Sequence, residues 1–225
     1  METRVLIVFA TSNEAEILQR TGENISSDGN YRIGRSTIKS LITGVGGIST
    51  AWAMKQWLSQ NPYPDIAINA GIAGSYSDKL NIGDVVMPLT DCFADLGVET
   101  GDKLLTLAEA GLMDPDMFPF EKGVIRAQNR FVNEAGKILT KANAITVNTC
   151  SGSVGTIERL KRKFNPDIET MEGATFFYIC ARERIPFLSV RAISNKVEPG
   201  EKASWNIPLA LENLSEKIKE ILLMF

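Results

Sequence analysis

Two carboxylates stand where strand-like segments give way to helices. Glu14 follows the apolar segment 4–10, and Glu172 begins the helical segment 172–184. Acidic side chains are common in the first turn of a helix because they complement the helix dipole. In α/β sheets, however, ligands bind beyond the carboxyl ends of the strands. Two carboxylates in one cleft there would suit acid–base catalysis and the recognition of hydroxyl groups.

The last predicted strand, 187–195, supplies two more polar groups. Arg191 lies within an otherwise apolar run, where a buried charge needs a partner. We therefore expect Arg191 to form an ion pair with a carboxylate of the same cleft. Asn195 ends the strand, either as a turn residue or as a hydrogen-bonding group for a ligand.

Two glycine-rich turns, 44–47 and 71–74, follow other predicted strands. The first lacks the last glycine of a GxGxxG fingerprint, because Ser49 stands there, and no Walker A pattern occurs in the chain. Such turns are often only tight connections. Their exposed N–H groups can also face an anion or a polar ligand.

The chain contains no histidine among its 225 residues. A Ser-His-Asp triad, a Cys-His dyad and a histidine-ligated metal are therefore excluded. Acid–base chemistry must come from carboxylates, Lys, Tyr or Cys. We predict that the protein uses no metal and no organic cofactor.

Composition and charge indicate an ordinary globular protein. Hydrophobic residues make up 44% of the chain and charged residues 23%, and the net charge of −3 gives no electrostatic signature for nucleic acid or an anionic membrane. Cys92, Cys150 and Cys180 are far apart and form no CxxC pair. The first apolar run is too short for a signal peptide or a membrane span. We therefore expect reduced thiols and a cytoplasmic location.

Short β-rich segments alternate with helical ones along the chain. This alternation, without a linker or a break in composition, predicts one α/β domain over residues 1–225. We expect a three-layer αβα arrangement, with helices on both faces of a central mixed, largely parallel sheet. The segment 91–122 is irregular, and long excursions of this kind often cover active sites.

Together these motifs resemble the nucleoside phosphorylase/nucleosidase superfamily. The resemblance runs nearly end to end, and its order and spacing are specific although each motif alone is weak. The segments that carry it are EAEIL at 14–18, PDIAINAGIAG at 64–74, GDVV at 83–86, GSVG at 152–155, ETMEGA at 169–174 and VRAISN at 190–195. It implies the nucleoside phosphorylase-like fold and a small purine nucleoside as the binding partner.

The resemblance also implies roles for individual residues. Glu14 matches the carboxylate that activates water, and Glu172 matches the one that accepts hydrogen bonds from the 2′- and 3′-hydroxyl groups of ribose. Met171 would pack against the sugar, and Arg191 would help to hold Glu14 or another carboxylate. The further residues expected to bind substrate are Gly71, Ile72, Ala73, Gly74, Thr149 and Cys150.

The residue that recognises the base differs from that of the adenine-specific nucleosidases. Those enzymes end the last motif in Asp, whereas this chain has Asn195. An Asp can deliver a proton to adenine, but an Asn works by hydrogen bonding, which suits a 6-oxopurine leaving group. The segments 93–97, 169–174 and 194–199 look most like those of the enzymes that hydrolyse futalosine and release hypoxanthine. We therefore predict that Glu14 and Asn195 are the catalytic residues.

Other readings stay open at this point. The aromatic residue that stacks on adenine in the adenine nucleosidases is absent from 147–150, which leaves Phe93 as a candidate. Related phosphorylases have Arg and Ser where this chain has Asn69 and Ile72, and their absence favours water over phosphate as nucleophile. The alternatives are a methylthioadenosine/adenosylhomocysteine nucleosidase, a purine nucleoside phosphorylase and a binding protein without turnover. The family also implies a homodimer or a larger homo-oligomer.

Overall fold

The computed structural model describes residues 2–21, 23–24, 30–101, 103–200 and 205–225, in which strands and helices alternate. The strands are β1 (Thr3–Phe9), β2 (Glu23–Asn24), β3 (Asn30–Ile33), β4 (Ser36–Ile42), β5 (Ile66–Ser75), β6 (Val85–Asp91), β7 (Gly97–Thr100), β8 (Lys103–Thr106), β9 (Ile125–Arg126), β10 (Thr140–Thr146), β11 (Ile168–Thr170) and β12 (Phe187–Lys196). The helices are α1 (Ser12–Ala15), α2 (Ile17–Thr21), α3 (Gly47–Gln60), α4 (Arg130–Ala135), α5 (Val154–Phe164), α6 (Gly173–Arg182) and α7 (Ile207–Met224).

Most of the strands join one mixed sheet. Their order is β11–β10–β6–β12–β5–β1–β4–β3–β2, and β9 pairs with β6. The long strands β1, β4, β5 and β12 pair in parallel, whereas β12–β6 and β3–β4 are antiparallel. The mixed α/β sheet predicted from the sequence is therefore confirmed.

One end of this sheet closes on itself. Strand β11 pairs in parallel with β10 and antiparallel with β5. The strands β5, β12, β6, β10 and β11 thus form a closed hydrogen-bonded ring. The sequence analysis did not predict this closure, because a three-residue strand carries no recognisable pattern.

The central strands are buried on both faces, which explains their continuous apolar runs. In β1, every residue after Arg4 is buried, and β5 is buried from Ile66 through Gly71. Helix α7 packs on β12, β5 and β6, and α3 packs on α6. The buried side of α7 includes Ala210, Leu214 and Ile218, at the four-residue spacing of an amphipathic helix.

Element boundaries differ from the sequence-based predictions at two places. The helix predicted from residue 172 begins at Gly173, because Glu172 is its N-cap. The irregular segment 91–122 contains the antiparallel hairpin β7–β8, whose first strand is exposed throughout. In the part of the chain that the structure describes, we find no helix with the length and apolar character needed to cross a membrane.

Candidate active site

A cavity of about 510 Å³ lies beyond the ends of β1, β5 and β12. Its described walls come from residues 10–14, the turn after β4, the second half of β5, the loop before α5, the β11–α6 junction, the end of β12 and the start of α7 with the residues before it. Eight of the twelve residues expected from the sequence line it: Glu14, Ile72, Ala73, Gly74, Cys150, Met171, Glu172 and Asn195. The residues that follow the predicted strands therefore do come together, as expected, around one cavity.

The carboxylate of Glu14 is buried and held by donors on both oxygens. Its Oε2 accepts hydrogen bonds from the backbone N–H groups of Ala10 (3.1 Å) and Thr11 (2.9 Å) and from the Thr11 hydroxyl (3.0 Å). Its Oε1 accepts one from the Ile72 N–H (3.1 Å). Thr11 and Glu14 together form a capping box that begins α1. Both oxygens of Glu14 therefore act as hydrogen-bond acceptors towards the protein.

Gly71 permits a close approach of Glu14 and Arg191. A Cβ atom placed on Gly71 would lie 2.5 Å from Glu14 Oε1 and 2.5 Å from Arg191 Nη1. Arg191 is only 1% exposed, and it donates hydrogen bonds to Asn69 Oδ1 and to Ser189 Oγ (3.2 Å for the latter). The prediction that Arg191 forms an ion pair is wrong, because among the described residues no carboxylate lies within ion-pairing distance of its guanidinium. Neutral groups fix its guanidinium instead, and its charge acts on the carboxylates from a short distance.

Glu172 faces the same cavity from the start of α6. Its Oε1 accepts a hydrogen bond from the Gly46 N–H (2.8 Å). Gly46 has φ of +90°, a conformation that favours glycine. Burial raises the pKa of Glu172 and the charge of Glu14 adds to this rise, whereas Arg191 and the Gly46 N–H oppose it. The first glycine turn therefore binds a carboxylate of the protein itself.

Asn195 presents its amide next to Gly74. Its Oδ1 accepts a hydrogen bond from Ser194 Oγ (2.8 Å), and its Nδ2 donates one to the backbone carbonyl of Lys196 (2.9 Å). These two bonds fix which end of the amide carries the N–H groups. The pairing of β12 with β5 shifts register between Ile193 and Asn195, which turns Asn195 opposite Gly74.

A further buried carboxylate, Glu169, lines the cavity and was not expected from the sequence. Its Oε1 accepts a hydrogen bond from the Ser151 N–H (2.9 Å), and its Oε2 accepts one from the Tyr76 hydroxyl (2.9 Å). Burial raises the pKa of Tyr76, so this hydroxyl remains a donor. The only sequence signal was an acidic residue between Ile168 and Thr170, which become the other members of β11.

Asp91 lies behind Glu172, under the first turn of α6. Its Oδ1 accepts a hydrogen bond from the Thr146 hydroxyl (2.9 Å), whose oxygen accepts the N–H of Ala174 (2.7 Å). A Cβ atom on Gly173 would lie 2.1 Å from Asp91 Oδ2. Burial raises the pKa of Asp91 to about 7, and the charge of Glu172 contributes to the rise. Asp91 therefore supports the position from which Glu172 extends.

The remaining predicted residues divide between the cavity wall and other places. Met171 and Cys150 line the cavity with their sulfur atoms 3.5 Å apart. Thr149 is exposed and is not part of the described cavity wall. Phe93 lines a second cavity of about 740 Å³ instead, so the expectation that it stacks on a base in the first cavity is wrong for this structure.

Positive charge at the cavity wall is limited. Among its described lining residues, Lys196 is the one Lys or Arg. The Nζ of Lys196 donates hydrogen bonds to the carbonyls of Ser77 (2.8 Å) and Leu80, which direct it away from a free anion site. The described residues also contain no cluster of three or more His, Cys, Asp or Glu side chains placed to hold a metal ion.

Comparison with known proteins finds a family and relatives that match most of the chain. The sequence profile of the family described as the phosphorylase superfamily matches residues 4–224. A futalosine hydrolase of Streptomyces coelicolor is 33% identical over 168 residues, which cover 73% of this chain and 67% of the relative. A 5′-methylthioadenosine/S-adenosylhomocysteine nucleosidase of Buchnera aphidicola is 27% identical over 237 residues, covering 97% and 96% of the two chains.

The fold itself also has solved counterparts. The crystal structure of the methylthioadenosine/adenosylhomocysteine nucleosidase from Neisseria meningitidis, in complex with methylthio-immucillin-A, superposes with a TM-score of 0.82. The superposition covers 99% of this chain and 100% of the other, at 18% sequence identity. At this identity the likeness establishes the architecture alone.

Proposed function

The chain belongs to the phosphorylase superfamily, and we propose that it is a purine nucleosidase that hydrolyses the N-glycosidic bond of futalosine. The two relatives described above are named as a futalosine hydrolase and as a nucleosidase, and both names support hydrolysis of a nucleoside. The observation that carries the choice of substrate is Asn195, an amide in the cavity that also holds Glu14 and Glu172.

Glu14 serves as the general base in this reaction. The N-glycosidic bond breaks through a state with positive charge on the ribosyl ring, and the electron pair of the bond leaves with the base. A water molecule then bonds to the anomeric carbon and loses its proton to the Glu14 carboxylate. The hypoxanthine anion takes up one proton from solvent, and Glu14 releases one to solvent, which restores the site. The donors around Glu14 hold that carboxylate in a fixed orientation before substrate binds.

Glu172 and Met171 bind the sugar. A carboxylate has two oxygens, so Glu172 can accept hydrogen bonds from both the 2′- and the 3′-hydroxyl group of ribose. The Gly46 N–H fixes one of these oxygens at 2.8 Å. Met171 supplies the apolar contact beside the sugar in the same cavity wall.

Asn195 stabilises the departing base. Hypoxanthine develops negative charge as it leaves, and an amide N–H directed at its N7 or O6 lowers the energy of that state. The Ser194 hydroxyl holds Asn195 Oδ1 and so orients the N–H end. An Asp at this place can deliver a proton to adenine, whereas an Asn cannot. The amide therefore favours a base that leaves without a full proton transfer from the protein.

Water is a better nucleophile than phosphate for this site. Phosphate needs a concentration of positive charge and hydrogen-bond donors. Asn69 is buried beneath Arg191. Ile72 offers only its backbone N–H as a donor, and that N–H already forms a hydrogen bond with Glu14. Lys196 is committed to backbone carbonyls.

The second candidate is a methylthioadenosine/adenosylhomocysteine nucleosidase. It is favoured by the Buchnera aphidicola relative, whose similarity extends over more of the chain than that of the futalosine hydrolase. The same base, sugar-binding residue and fold would serve that reaction. Asn195 is the residue that argues against it.

An endpoint assay separates these functions. The purified protein is incubated with futalosine, inosine or methylthioadenosine, each with and without phosphate, and the free base and the sugar product are measured by chromatography. Phosphate-independent release of hypoxanthine from futalosine is the expected result. Release of adenine would support the second candidate, and a strict phosphate requirement would make the protein a phosphorylase.

We also propose a cytoplasmic homodimer in which a second copy covers the α3 patch, the exposed apolar residues Val45, Ile48 and Trp52. These side chains are 52%, 87% and 73% exposed. Val45 also lines the cavity, so the patch lies at the cavity mouth. Covering it would bury apolar surface and narrow the entrance at the same time.

A further inference from the structure

We propose that Thr146 is a positioning residue for sugar binding, because its hydroxyl group caps α6 in place of the side chain of Glu172. The Glu172 carboxylate is thereby left free to accept hydrogen bonds from the ribose hydroxyl groups. This inference rests on the proposed function and deepens it, since it explains how the sugar-binding carboxylate is kept available. Thr146 is not among the described residues that line the cavity, so it acts through Glu172 and not on the sugar itself.

Glu172 occupies the N-cap of α6, but its side chain forms no capping hydrogen bond with the described helix. The side chain of an N-cap residue commonly accepts a hydrogen bond from the N–H group two or three residues later. A carboxylate is also stabilised by the positive end of the helix dipole. The Glu172 carboxylate instead accepts the N–H of Gly46 at 2.8 Å and faces the cavity. Another group must therefore satisfy the first N–H groups of α6.

Two threonine hydroxyl groups take this place. The N–H of Gly173 donates a hydrogen bond to Thr170 Oγ1 at 3.2 Å. The N–H of Ala174 donates one to Thr146 Oγ1 at 2.7 Å. Ala174 is the second residue after Glu172, so its N–H is one that the side chain of an N-cap residue would otherwise accept. The Thr146 hydroxyl thus replaces the N-cap side chain.

Asp91 fixes the direction of the Thr146 hydroxyl. A hydroxyl group has one proton and two acceptor sites. Thr146 donates its proton to Asp91 Oδ1 at 2.9 Å, so both acceptor sites remain for other donors. One of them receives the N–H of Ala174. The Thr170 hydroxyl oxygen is 3.3 Å away, and Thr170 must be the donor in that contact because the Thr146 proton is already used.

This network lies out of water, which makes the cap costly to lose. The side chains of Asp91, Thr146 and Thr170 are all buried. A buried N–H that loses its acceptor raises the free energy of the folded state until it finds another one. Without the Thr146 hydroxyl, the N-cap carboxylate of Glu172 is the acceptor that the helix itself carries. Turning it back toward α6 would withdraw it from the sugar.

Nucleoside binding tests the inference without relying on turnover. The dissociation constants of 9-deazainosine and its 2′-deoxy counterpart are measured by calorimetry for the wild type and for Thr146→Val, which keeps the shape of the side chain but lacks the hydroxyl. A carbon replaces N9 in these ligands, so their glycosidic bond is not hydrolysed. The corresponding 9-deazaadenosine pair is measured alongside, so that the ratio is obtained whichever purine the site prefers.

We expect the wild type to bind the ribonucleoside at least about tenfold more tightly than the 2′-deoxynucleoside, because the 2′-hydroxyl donates to a charged group. In Thr146→Val this ratio should fall to about threefold or less, because Glu172 is withdrawn from the 2′-hydroxyl. The affinity for the 2′-deoxynucleoside should stay nearly unchanged.

Matched variants separate positioning from general stability. Thr146→Ser keeps the hydroxyl and should keep the wild-type ratio. Thr90→Val removes another buried hydroxyl, which donates to Asn143 Oδ1 at 2.9 Å and has no bond to α6, and should also keep it. If Thr146→Val does not fold by circular dichroism, Thr170→Val removes the cap on Gly173 and should lower the same ratio at least about threefold.

Three outcomes would overturn the inference. One is a wild type that binds the two nucleosides of each pair equally, a result that needs no variant. Another is an unchanged ratio in Thr146→Val, even if both affinities fall, as expected of a residue that only stabilises the fold. The third is a fall of the ratio in Thr90→Val as large as in Thr146→Val, since the loss of any buried hydroxyl would then have the same effect.

The fate of the proposed function is read separately. If futalosine is cleaved but Thr146→Val keeps the full preference for the ribonucleoside, the inference fails and the proposed function stands. If futalosine is not cleaved but the preference depends on Thr146, the inference stands and the natural substrate is a different ribonucleoside.

Discussion

Glu14 and Arg191 approach the same point beside the α-carbon of Gly71. The Oε1 of Glu14 and the Nη1 of Arg191 are each 2.5 Å from where a Cβ atom would stand. An anion and a cation are thus brought together across a glycine, while the hydrogen bonds of each go to neutral donors or acceptors. The absence of one side chain on β5 is what allows this arrangement.

Gly71→Ala should therefore inactivate the protein. The added methyl group displaces either the Glu14 carboxylate or the Arg191 guanidinium, and we expect kcat to fall by about a hundredfold or more, as for the loss of a general base. The matched control is Gly155→Ala on exposed α5, where a Cβ atom meets nothing within 4 Å. Nearly normal kcat in Gly71→Ala would contradict the role given to this close approach.

Glu14→Gln tests the general base directly. The amide keeps the shape of the side chain but cannot accept the proton of water, so we expect kcat to fall by about 10²- to 10⁴-fold with KM little changed. Glu16→Gln, on an exposed residue two positions later, is the control. Steady-state kinetics with futalosine gives both constants, and turnover at the wild-type rate would remove Glu14 from the chemistry.

Asn195→Asp should shift the preference from hypoxanthine toward adenine as the leaving base. In the wild type, Asn195 Nδ2 donates a hydrogen bond to the carbonyl of Lys196 at 2.9 Å. In the variant, an oxygen of Asp replaces Nδ2 and faces that carbonyl. Repulsion between two oxygens favours the protonated acid, and that proton can be passed to adenine. The ratio of kcat/KM for methylthioadenosine to that for futalosine should rise at least about tenfold. An unchanged ratio would exclude Asn195 from base recognition.

Asp91 predicts a pH dependence of stability. Its pKa is raised to about 7 in the folded protein from the ordinary value of 3.8, so between these two pH values the folded state binds more protons than the unfolded state. The free energy of unfolding should therefore fall as the pH rises from about 4 to about 7, by an amount on the order of a few kcal/mol for this group.

Asp91→Asn isolates this contribution. The neutral amide removes the titration, so the difference in unfolding free energy between wild type and variant should change across this pH range in urea titrations. Asp78→Asn, on an exposed residue, should leave the wild-type profile in place. Parallel profiles for wild type and Asp91→Asn would show that Asp91 titrates as it does in the unfolded chain.

From the exposed α3 patch we predict that the protein forms a dimer. The wild type should have twice the chain mass of 24.7 kDa by size-exclusion chromatography with light scattering. Trp52→Lys places a charge in the patch and should give the mass of one chain, together with a higher KM because the cavity mouth is uncovered. Leu112→Lys changes another exposed apolar residue, 67% accessible, and should remain dimeric. A monomeric wild type at assay concentration would contradict the proposal.

The sequence predicted the site best where a residue followed a long apolar strand or stood at the start of a helix. Glu14, Glu172 and Asn195 were found because a continuous apolar run or a helix start marks the end of an element, and the structure brings all three to one cavity. The family resemblance and the mixed α/β fold are also confirmed.

Features that depend on pairing across the sheet were not predictable. Glu169 acquires its place only because β11 pairs with both β10 and β5, and a three-residue strand gives no pattern that fixes its register. Arg191 was expected to contact a carboxylate, but the neighbouring strand offers Asn69 as a nearer acceptor. Phe93 was chosen by residue type alone, and the chain around it faces a different cavity.

The closed ring of β5, β12, β6, β10 and β11 has a consequence for the order in which the protein folds. Gly74, Glu169 and Asn195 come from distant parts of the chain and become neighbours only when the ring closes. Closing such long loops is entropically unfavourable, so contacts of this kind form late. A partly folded or C-terminally shortened chain would retain the apolar strands near its start but lack the cavity wall that Gly74, Glu169 and Asn195 form together. Nucleoside binding should therefore indicate that the whole sheet has folded. Bound ligand should slow hydrogen exchange in the strands of the ring more than in the rest of the sheet.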